Sequence, residues 1–120
     1  ARDSVTLDKS KNFAIRVVKL YQYLNTEKKE FVLSKQMQEV VLPLEQSIIG
    51  IYGISEKDFL SKVYISLKEC AETKYWLELL FKTDYLTKSQ YDSIDADCTE
   101  LIKLLTAIAK TMSTKLKSNL

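Results

Sequence analysis

The chain contains no histidine, one proline and two glycines among its 120 residues. The absence of histidine excludes the zinc sites, Ser-His-Asp triads and Cys-His dyads that depend on an imidazole. The scarcity of glycine and proline leaves few residues for tight hairpin turns, whereas leucine, lysine, glutamate, isoleucine and alanine are abundant. The composition therefore predicts an all-α protein.

The chain also lacks a large charge imbalance and a long apolar run. Its 18 basic and 16 acidic residues leave a net charge of +2, which is too balanced to indicate nucleic-acid binding by itself. No run approaches the roughly 18 apolar residues of a membrane span, and the N-terminus has no secretory pattern. We therefore expect a cytoplasmic protein with no membrane partner, folded as one domain over residues 1–120.

Apolar residues recur at steps of three and four in four segments, which is the period of one face of an α-helix. Helix 1 is predicted over roughly residues 9–25. A short polar break follows at residues 25–30, and the helical pattern of helix 2 then runs from Leu33 to Ile51. Helix 3 follows a capping box formed by Ser55 and Asp58, and helix 4 follows a second box formed by Thr87 and Gln90 and runs to about residue 115. The apolar positions predicted to face the core are Phe13, Val17, Leu20, Tyr21, Leu24, Leu33, Met37, Val40, Leu44, Ile48, Ile51, Leu60, Val63, Leu67, Cys70, Tyr91, Ile94, Cys98, Leu101, Leu105, Ile108 and Met112. Short breaks join the segments, so we predict an antiparallel up-down-up-down four-helix bundle.

The proline and both glycines fall together in VVLPLEQSIIGIYG, residues 40–53. Pro43 lies inside the helical pattern and cannot donate to the carbonyl of Glu39, so helix 2 should kink or restart at Leu42. Gly53 is placed to close the helix in a left-handed conformation. The Gly-x-x-Gly spacing also occurs in loops that clamp RNA, but the residues between the glycines continue the helical pattern, which favours a bent helix end.

Apolar side chains surround almost the whole second half of helix 3. One straight face cannot bury all of them, so either the core rotates locally or a patch stays outside for a partner to cover. Because aromatic anchors concentrate interface energy, we favour self-association. The candidate oligomer-interface residues are Ile65, Tyr75, Trp76, Leu79 and Leu80.

Basic residues share one polar face of helix 1. No carboxylate occurs between Asp8 and Glu27, so phosphates would meet positive charge there without competition. Lysines in the second half of helix 4 could add to this surface, although they also suit the negative end of the helix dipole, and any helix needs a solvated face. The candidate nucleic-acid-binding residues are Lys9, Asn12, Arg16, Lys19, Lys103 and Lys110.

Two further groups have simple structural explanations. Acidic residues crowd the start of helix 4, at Asp92, Asp95, Asp97 and Glu100. They could bind a cation or do acid–base work, but complementing the positive end of the helix dipole is the favoured interpretation. Both cysteines lie on apolar faces, which favours reduced core residues over a disulfide or redox pair. We predict no metal, cofactor, small-molecule substrate or catalytic residue, and no enzymatic activity.

Three segments resemble a known family. EKKEFVLSKQ at 27–36, DFLSKVYISLKECAETKYWLELL at 58–80 and ADCTELIKLLTAIAKT at 96–111 are similar to the bacterial four-helix-bundle proteins encoded in 23S ribosomal RNA intervening sequences. The similarity covers residues 13–111 and is most specific in ETKYWLELL. It implies a ring, typically a pentamer, with no assigned enzymatic activity. A related branch serves diversity-generating retroelements, where a basic pentameric barrel contacts nucleic acid and a reverse transcriptase.

One segment departs from the family. Relatives carry Asn-Ile-Ala-Glu or a similar sequence where this chain has Gln46, Ser47, Ile48 and Ile49. An isoleucine therefore replaces the family's acid, and we expect helix 2 to pack more deeply at this point.

Two functions follow as hypotheses. The first is a non-catalytic homo-oligomeric scaffold that binds RNA or a nucleic-acid enzyme through basic helical faces. The second is a protein-interaction module that assembles in the same way and never contacts nucleic acid.

Overall fold

The structure is a computed structural model that describes residues 5–51 and 56–118. The described residues form four α-helices: α1 (Val5–Thr26), α2 (Val32–Ile51), α3 (Glu56–Lys82) and α4 (Lys88–Ser118). These bounds confirm the four predicted helices. Both α1 and α4 are longer than predicted, because the polar residues near their ends add little to the apolar period.

Each helix packs against two others in a closed square. The close backbone approaches join α1 to α2, α2 to α3, α3 to α4 and α4 to α1, whereas the backbones of the two diagonal pairs stay further apart within the described residues. The 27 residues of α3 extend about 40 Å, whereas a connection such as 83–87 spans less than half of that length. Consecutive helices are therefore antiparallel, and the up-down-up-down four-helix bundle is confirmed.

The core contains most of the apolar positions that the period predicts. Leu20, Tyr21, Val40, Leu60 and Leu67 are only half-buried, and Phe59 takes a core position that was not predicted. These residues lie at the edges of the buried faces, where a small rotation of the helix decides burial. The predicted residues that are fully buried include Phe13, Val17, Leu24, Met37, Leu44, Ile48, Ile51, Val63, Cys70, Cys98, Leu101 and Leu105.

The first turn of α2 is capped by a carboxylate from the preceding connection. Glu30 is only 6% exposed, and its Oε1 accepts hydrogen bonds from the backbone N–H groups of Val32 (2.9 Å) and Leu33 (2.8 Å). Its Oε2 accepts from the N–H of Ser34 at 2.9 Å. Three amides that have no partner inside the helix are thus satisfied by one side chain. The sequence pattern had shown this segment only as a polar break.

The capping box predicted at the start of α4 is confirmed. The backbone N–H of Gln90 donates to Thr87 Oγ1 at 3.1 Å, and the backbone N–H of Thr87 donates to Gln90 Oε1 at 2.9 Å. The box predicted at Ser55 and the left-handed closure predicted at Gly53 lie outside the described residues.

Helix α2 continues through its proline. Pro43 lies inside the helix and on its exposed side, as does Glu39, whose carbonyl loses a partner. Water can reach that carbonyl, so the missing hydrogen bond does not require the helix to restart. The predicted restart at Leu42 is therefore wrong, and the kink stays a prediction. Gly50 also lies within the helix, as the bent-helix interpretation requires.

The replacement of the family's acid does not deepen the packing of α2. Ile49 is 56% exposed, whereas the neighbouring Ile48 is fully buried. The expectation of deeper packing is therefore wrong, because position 49 lies on the outward side of the helix and its change to isoleucine leaves an apolar side chain in solvent.

No helix in the described part of the chain is long and apolar enough to cross a membrane.

Candidate nucleic-acid interface and oligomer surface

The basic face of α1 lies directly beside acidic residues of α4. Arg16 Nη1 is 2.7 Å from Asp97 Oδ2, and Lys9 Nζ is 3.2 Å from Glu100 Oε1. The expectation that phosphates would meet these cations without competition is therefore wrong. The competing carboxylates are distant in sequence and reach α1 only through the packing of α4 against it.

Arg16 is held by more than its ion pair. Its Nη1 also donates to the backbone carbonyl of Ser93 at 3.1 Å, and its Nη2 donates to Ser93 Oγ at 2.9 Å. The side chains of Arg16 and Asp97 remain 38% and 40% exposed, so water screens their attraction. The hydrogen bonds therefore orient the guanidinium more than they stabilise the fold.

The other nucleic-acid candidates are exposed and make no ion pair within the described residues. Lys19 and Asn12 lie on the outer side of α1, and Lys103 and Lys110 lie on the outer side of α4. Lys117 continues the row of Lys103 and Lys110 at the same spacing of seven residues, and it is exposed as well. Residues seven apart share one helix face, so this row is a line of positive charge along α4.

The acidic residues near the start of α4 are explained by ion pairs rather than by the helix dipole. The first turn of α4 contains no acidic residue, and the dipole effect falls off within that turn. Asp95 Oδ1 instead accepts from Lys74 Nζ at 2.7 Å, and the same ammonium donates to Thr99 Oγ1 at 2.8 Å. Asp92 pairs with Lys88 at 2.9 Å. The dipole interpretation is therefore wrong, and no metal-binding cluster of three such side chains occurs in the described segments.

A surface cleft of about 430 Å³ lies between α1 and the first turns of α4. Its polar lining consists of Arg16, Lys19, Ser89, Gln90 and Ser93. Its apolar lining consists of Leu20, Tyr23, Leu86 and Ile94. The cleft thus brings two of the candidate cations together with hydroxyl groups and an apolar floor, a combination that the basic pattern of α1 did not reveal.

The predicted oligomer surface on α3 divides into core and exposed residues. Leu80 is fully buried inside the protomer, so its prediction as an interface residue is wrong. Trp76 and Leu79 are half-buried, whereas Ile65 is 45% and Tyr75 58% exposed. The core of the protomer thus buries part of the apolar surface around the second half of α3.

Several of the exposed or half-buried side chains of α3 are aromatic. The rings of Tyr75 and Trp76 meet edge to face, with centroids 5.3 Å apart and an interplanar angle of 75°. Tyr64 is 53% exposed and lies on the same outward side of α3 as Tyr75, but the sequence analysis did not single it out. Phe81 is used internally, because its ring stacks on that of Tyr91 in α4 at 4.7 Å.

Two half-buried carboxylates that join neighbouring helices were also missed. Both carboxylate oxygens of Glu45 lie 2.7 Å from the hydroxyl of the buried Ser10, which links α2 to α1. Burial raises the pKa of Glu45 above its ordinary value of 4.5, while the Ser10 hydrogen bond and Lys11 act in the opposite direction. Burial likewise raises the pKa of Glu69, which accepts from Ser47 Oγ at 2.9 Å. The apolar period of a single helix does not predict hydrogen bonds between polar side chains of two different helices.

The cysteines are free and buried, which confirms them as core residues. Cys98 Sγ donates to the backbone carbonyl of Cys70 at 3.5 Å. The neighbouring Cys98 thiol, followed by burial, raises the pKa of the Cys70 thiol. Since the thiolate is the reactive form and the Cys70 thiol is buried, Cys70 is a poor nucleophile in the folded protein.

The sequence profile of the family described as 23S rRNA-intervening sequence protein matches residues 2–107. The chain belongs to this family. It is also similar to a solved protein from Bacteroides thetaiotaomicron, described as a protein with unknown function from the S23 ribosomal protein family. The two are 48% identical with a TM-score of 0.85, over 88% of this chain and 99% of that chain. No curated protein matches the chain.

Membership of the 23S rRNA-intervening sequence protein family confirms the resemblance carried by residues 27–36, 58–80 and 96–111. The solved relative has unknown function. The comparisons thus establish the family and the four-helix fold. The function is inferred from the surfaces of this member.

Proposed function

We propose that this chain is a non-catalytic scaffold that associates with copies of itself through the outward face of α3 and binds RNA through exposed lysines on α1 and α4. The observation that carries the first part is the exposure of Tyr64, Ile65 and Tyr75 on one helix. Monomers seldom leave such aromatic and aliphatic side chains together in water. A partner copy would cover them.

The spacing of these residues supports a single contact surface. Tyr64 and Tyr75 are eleven residues apart, as are Ile65 and Trp76, and this spacing of three turns returns to the same side of an α-helix; the charged Lys68 and Glu72 lie between them. An aromatic anchor such as Tyr75, backed by Trp76, is the type of residue that concentrates binding energy. The assembly is proposed to be a ring of five copies, the number that the family resemblance implies.

The square arrangement of the helices supports RNA binding by the same assembly. Helix α1 is diagonal to α3, so the contact on the outer face of α3 does not itself cover the outer face of α1. Lys19, Lys103 and Lys110 are exposed there and on α4, and no described carboxylate neutralises them. Repetition around a ring would multiply this charge and with it the salt-dependent attraction to phosphates.

Light scattering on the purified protein tests the self-association. We expect a molar mass that is a multiple of 13.9 kDa and that falls to one chain in Tyr75→Glu. Because Tyr75 is mostly exposed, this variant should keep its helical circular dichroism, unlike a change at the half-buried Trp76. Gln22→Glu, which adds the same charge on the exposed side of α1, is the matched control. A monomeric wild-type protein overturns this part of the proposal.

Filter binding to structured RNA at two salt concentrations tests the second part. Lys19→Glu combined with Lys103→Glu and Lys110→Glu should abolish binding, and the affinity of the unchanged protein should fall steeply with salt. RNA binding that is absent at low salt, or that survives the triple substitution, contradicts it.

A protein-interaction module without nucleic acid is the second candidate function. The ion pairs of Lys9 with Glu100 and Arg16 with Asp97 favour it, because they neutralise half of the basic face on α1. It predicts co-purifying protein and an absorbance ratio free of nucleic acid.

A further inference from the structure

The cleft between α1 and α4 combines features that neither helix has alone. We propose that it binds one nucleotide unit, with the phosphate at Arg16 and Lys19 and the planar base over the apolar floor. This inference rests on the RNA-binding part of the proposed function and narrows it to one site and one unit of the ligand. The shared chemistry is a nucleoside phosphate, whether it is free or part of a single strand.

The anion end of the cleft is partly organised before any ligand arrives. A guanidinium carries five N–H donors. Ser93 and Asp97 take three of those of Arg16, which leaves two for a phosphate oxygen. Lys19 reaches the same cleft from the following turn of α1, and its ammonium makes no ion pair with any described residue. A planar fork and a mobile ammonium together are suited to phosphate.

Neutral donors border the two cations. Ser93 Oγ accepts from Arg16, so its own hydroxyl proton can be donated, and Ser89 offers a second hydroxyl. The side-chain oxygen of Gln90 is occupied by the backbone N–H of Thr87, which leaves its amide N–H groups as donors. The polar side of the cleft therefore presents donors, and a phosphate presents only acceptors.

The apolar floor decides between a nucleotide and a simple anion. The exposed part of this floor comes from the half-buried Leu20 and Tyr23, whereas Leu86 and Ile94 beneath them are 5% and 4% exposed and belong to the core. Inorganic phosphate or an acidic side chain would leave the floor in water. A base would cover it, as aromatic and apolar surfaces do in single-strand binding proteins. The cleft volume of about 430 Å³ falls in the range of small-ligand sites.

The charge of the site favours a phosphodiester over a phosphate monoester. Arg16 and Lys19 contribute two positive charges, and Asp97 at 2.7 Å from Arg16 removes one. The remaining single positive charge matches the single negative charge of a nucleic-acid linkage.

Titration with the dinucleoside monophosphate ApA, followed by amide NMR shifts, tests the site. We expect shifts concentrated in residues 16–23 and 86–94, with about tenfold weaker binding in Lys19→Gln. Lys35→Gln removes the same charge from the exposed side of α2, outside both proposed surfaces, and should change the affinity less than twofold. Both lysines are exposed, so neither change should disturb folding.

Three further probes complete the test. Adenosine and inorganic phosphate should each bind more weakly than ApA, since each uses half of the site. If AMP binds more tightly than ApA, the cleft holds a nucleoside phosphate and its source is free nucleotide. Absence of ApA shifts at the cleft overturns the inference, as does phosphate binding equal to ApA binding. If structured RNA still binds in filter assays after that result, RNA binding stands and only the cleft proposal fails.

Discussion

Replacing Glu30 by alanine should destabilise the bundle far more than its place in a polar connection suggests. The carboxylate accepts three backbone N–H groups of the first turn of α2, at 2.8 to 2.9 Å, while it is 6% exposed. Alanine removes all three hydrogen bonds at once. The N–H of Ser34 is then the most costly loss, because Ser34 is fully buried and water cannot replace the carboxylate there.

The expected loss of unfolding free energy has two contributions. Loss of a helix N-cap costs about 1 kcal/mol, and a buried amide left without a partner adds about 1–3 kcal/mol. The N–H groups of Val32, which is exposed, and of Leu33, which is half-buried, can be hydrated, so they add little. We therefore expect Glu30→Ala to lower the free energy of unfolding by roughly 2–4 kcal/mol. Glu30→Gln keeps one acceptor oxygen and should lose less.

Urea unfolding at one fixed protein concentration, followed by far-ultraviolet circular dichroism, measures this difference. Glu27→Ala is the matched control, because Glu27 has the same side chain in the same connection and is exposed. It should stay within about 0.5 kcal/mol of the unchanged protein. Equal losses in the two variants, or a loss below about 0.5 kcal/mol in Glu30→Ala, would refute the capping role.

Three other mutational experiments test the core, the site and the half-buried acid. Leu80→Ala should cost about 2–5 kcal/mol of unfolding free energy, because Leu80 is fully buried within the protomer. A double-mutant cycle of Arg16→Met and Asp97→Asn should give a coupling of about 1 kcal/mol or less, since both side chains are more than a third exposed. Glu45→Gln should stabilise the protein at neutral pH. The folded state holds the Glu45 proton to a higher pH than the unfolded chain does, so stability falls as the pH rises from 4.5 through the raised pKa. The advantage of glutamine should vanish as the pH returns below 4.5.

Each of these expectations has a contrary result. A dissociated assembly with unchanged unfolding energy in Leu80→Ala would place that residue in the interface after all. A coupling above about 2 kcal/mol would mean that the Arg16–Asp97 pair is shielded from water. A pH-independent difference between Glu45→Gln and the unchanged chain would show that burial does not shift this carboxylate.

The candidate sites were partly predictable from the sequence. The exposure of Lys19, Lys103 and Lys110 follows from the polar faces of amphipathic helices, and the pattern located it correctly. The pairing of Arg16 with Asp97 was missed, because the two residues are 81 positions apart and no local period connects them. Leu80 was wrongly assigned to the interface for a related reason. Which side of α3 faces the core depends on how the neighbouring helices pack against it.

The sequence by itself determined the four helices, their antiparallel order and the capping box of Thr87 and Gln90. These features depend on residues three or four positions apart and on short connections, so the interactions that specify them are local. Only the tertiary structure decided which carboxylates neutralise the basic face of α1, and that a cleft opens beside Lys19. Such contacts join separate helices, and their distances are set by how the whole bundle packs.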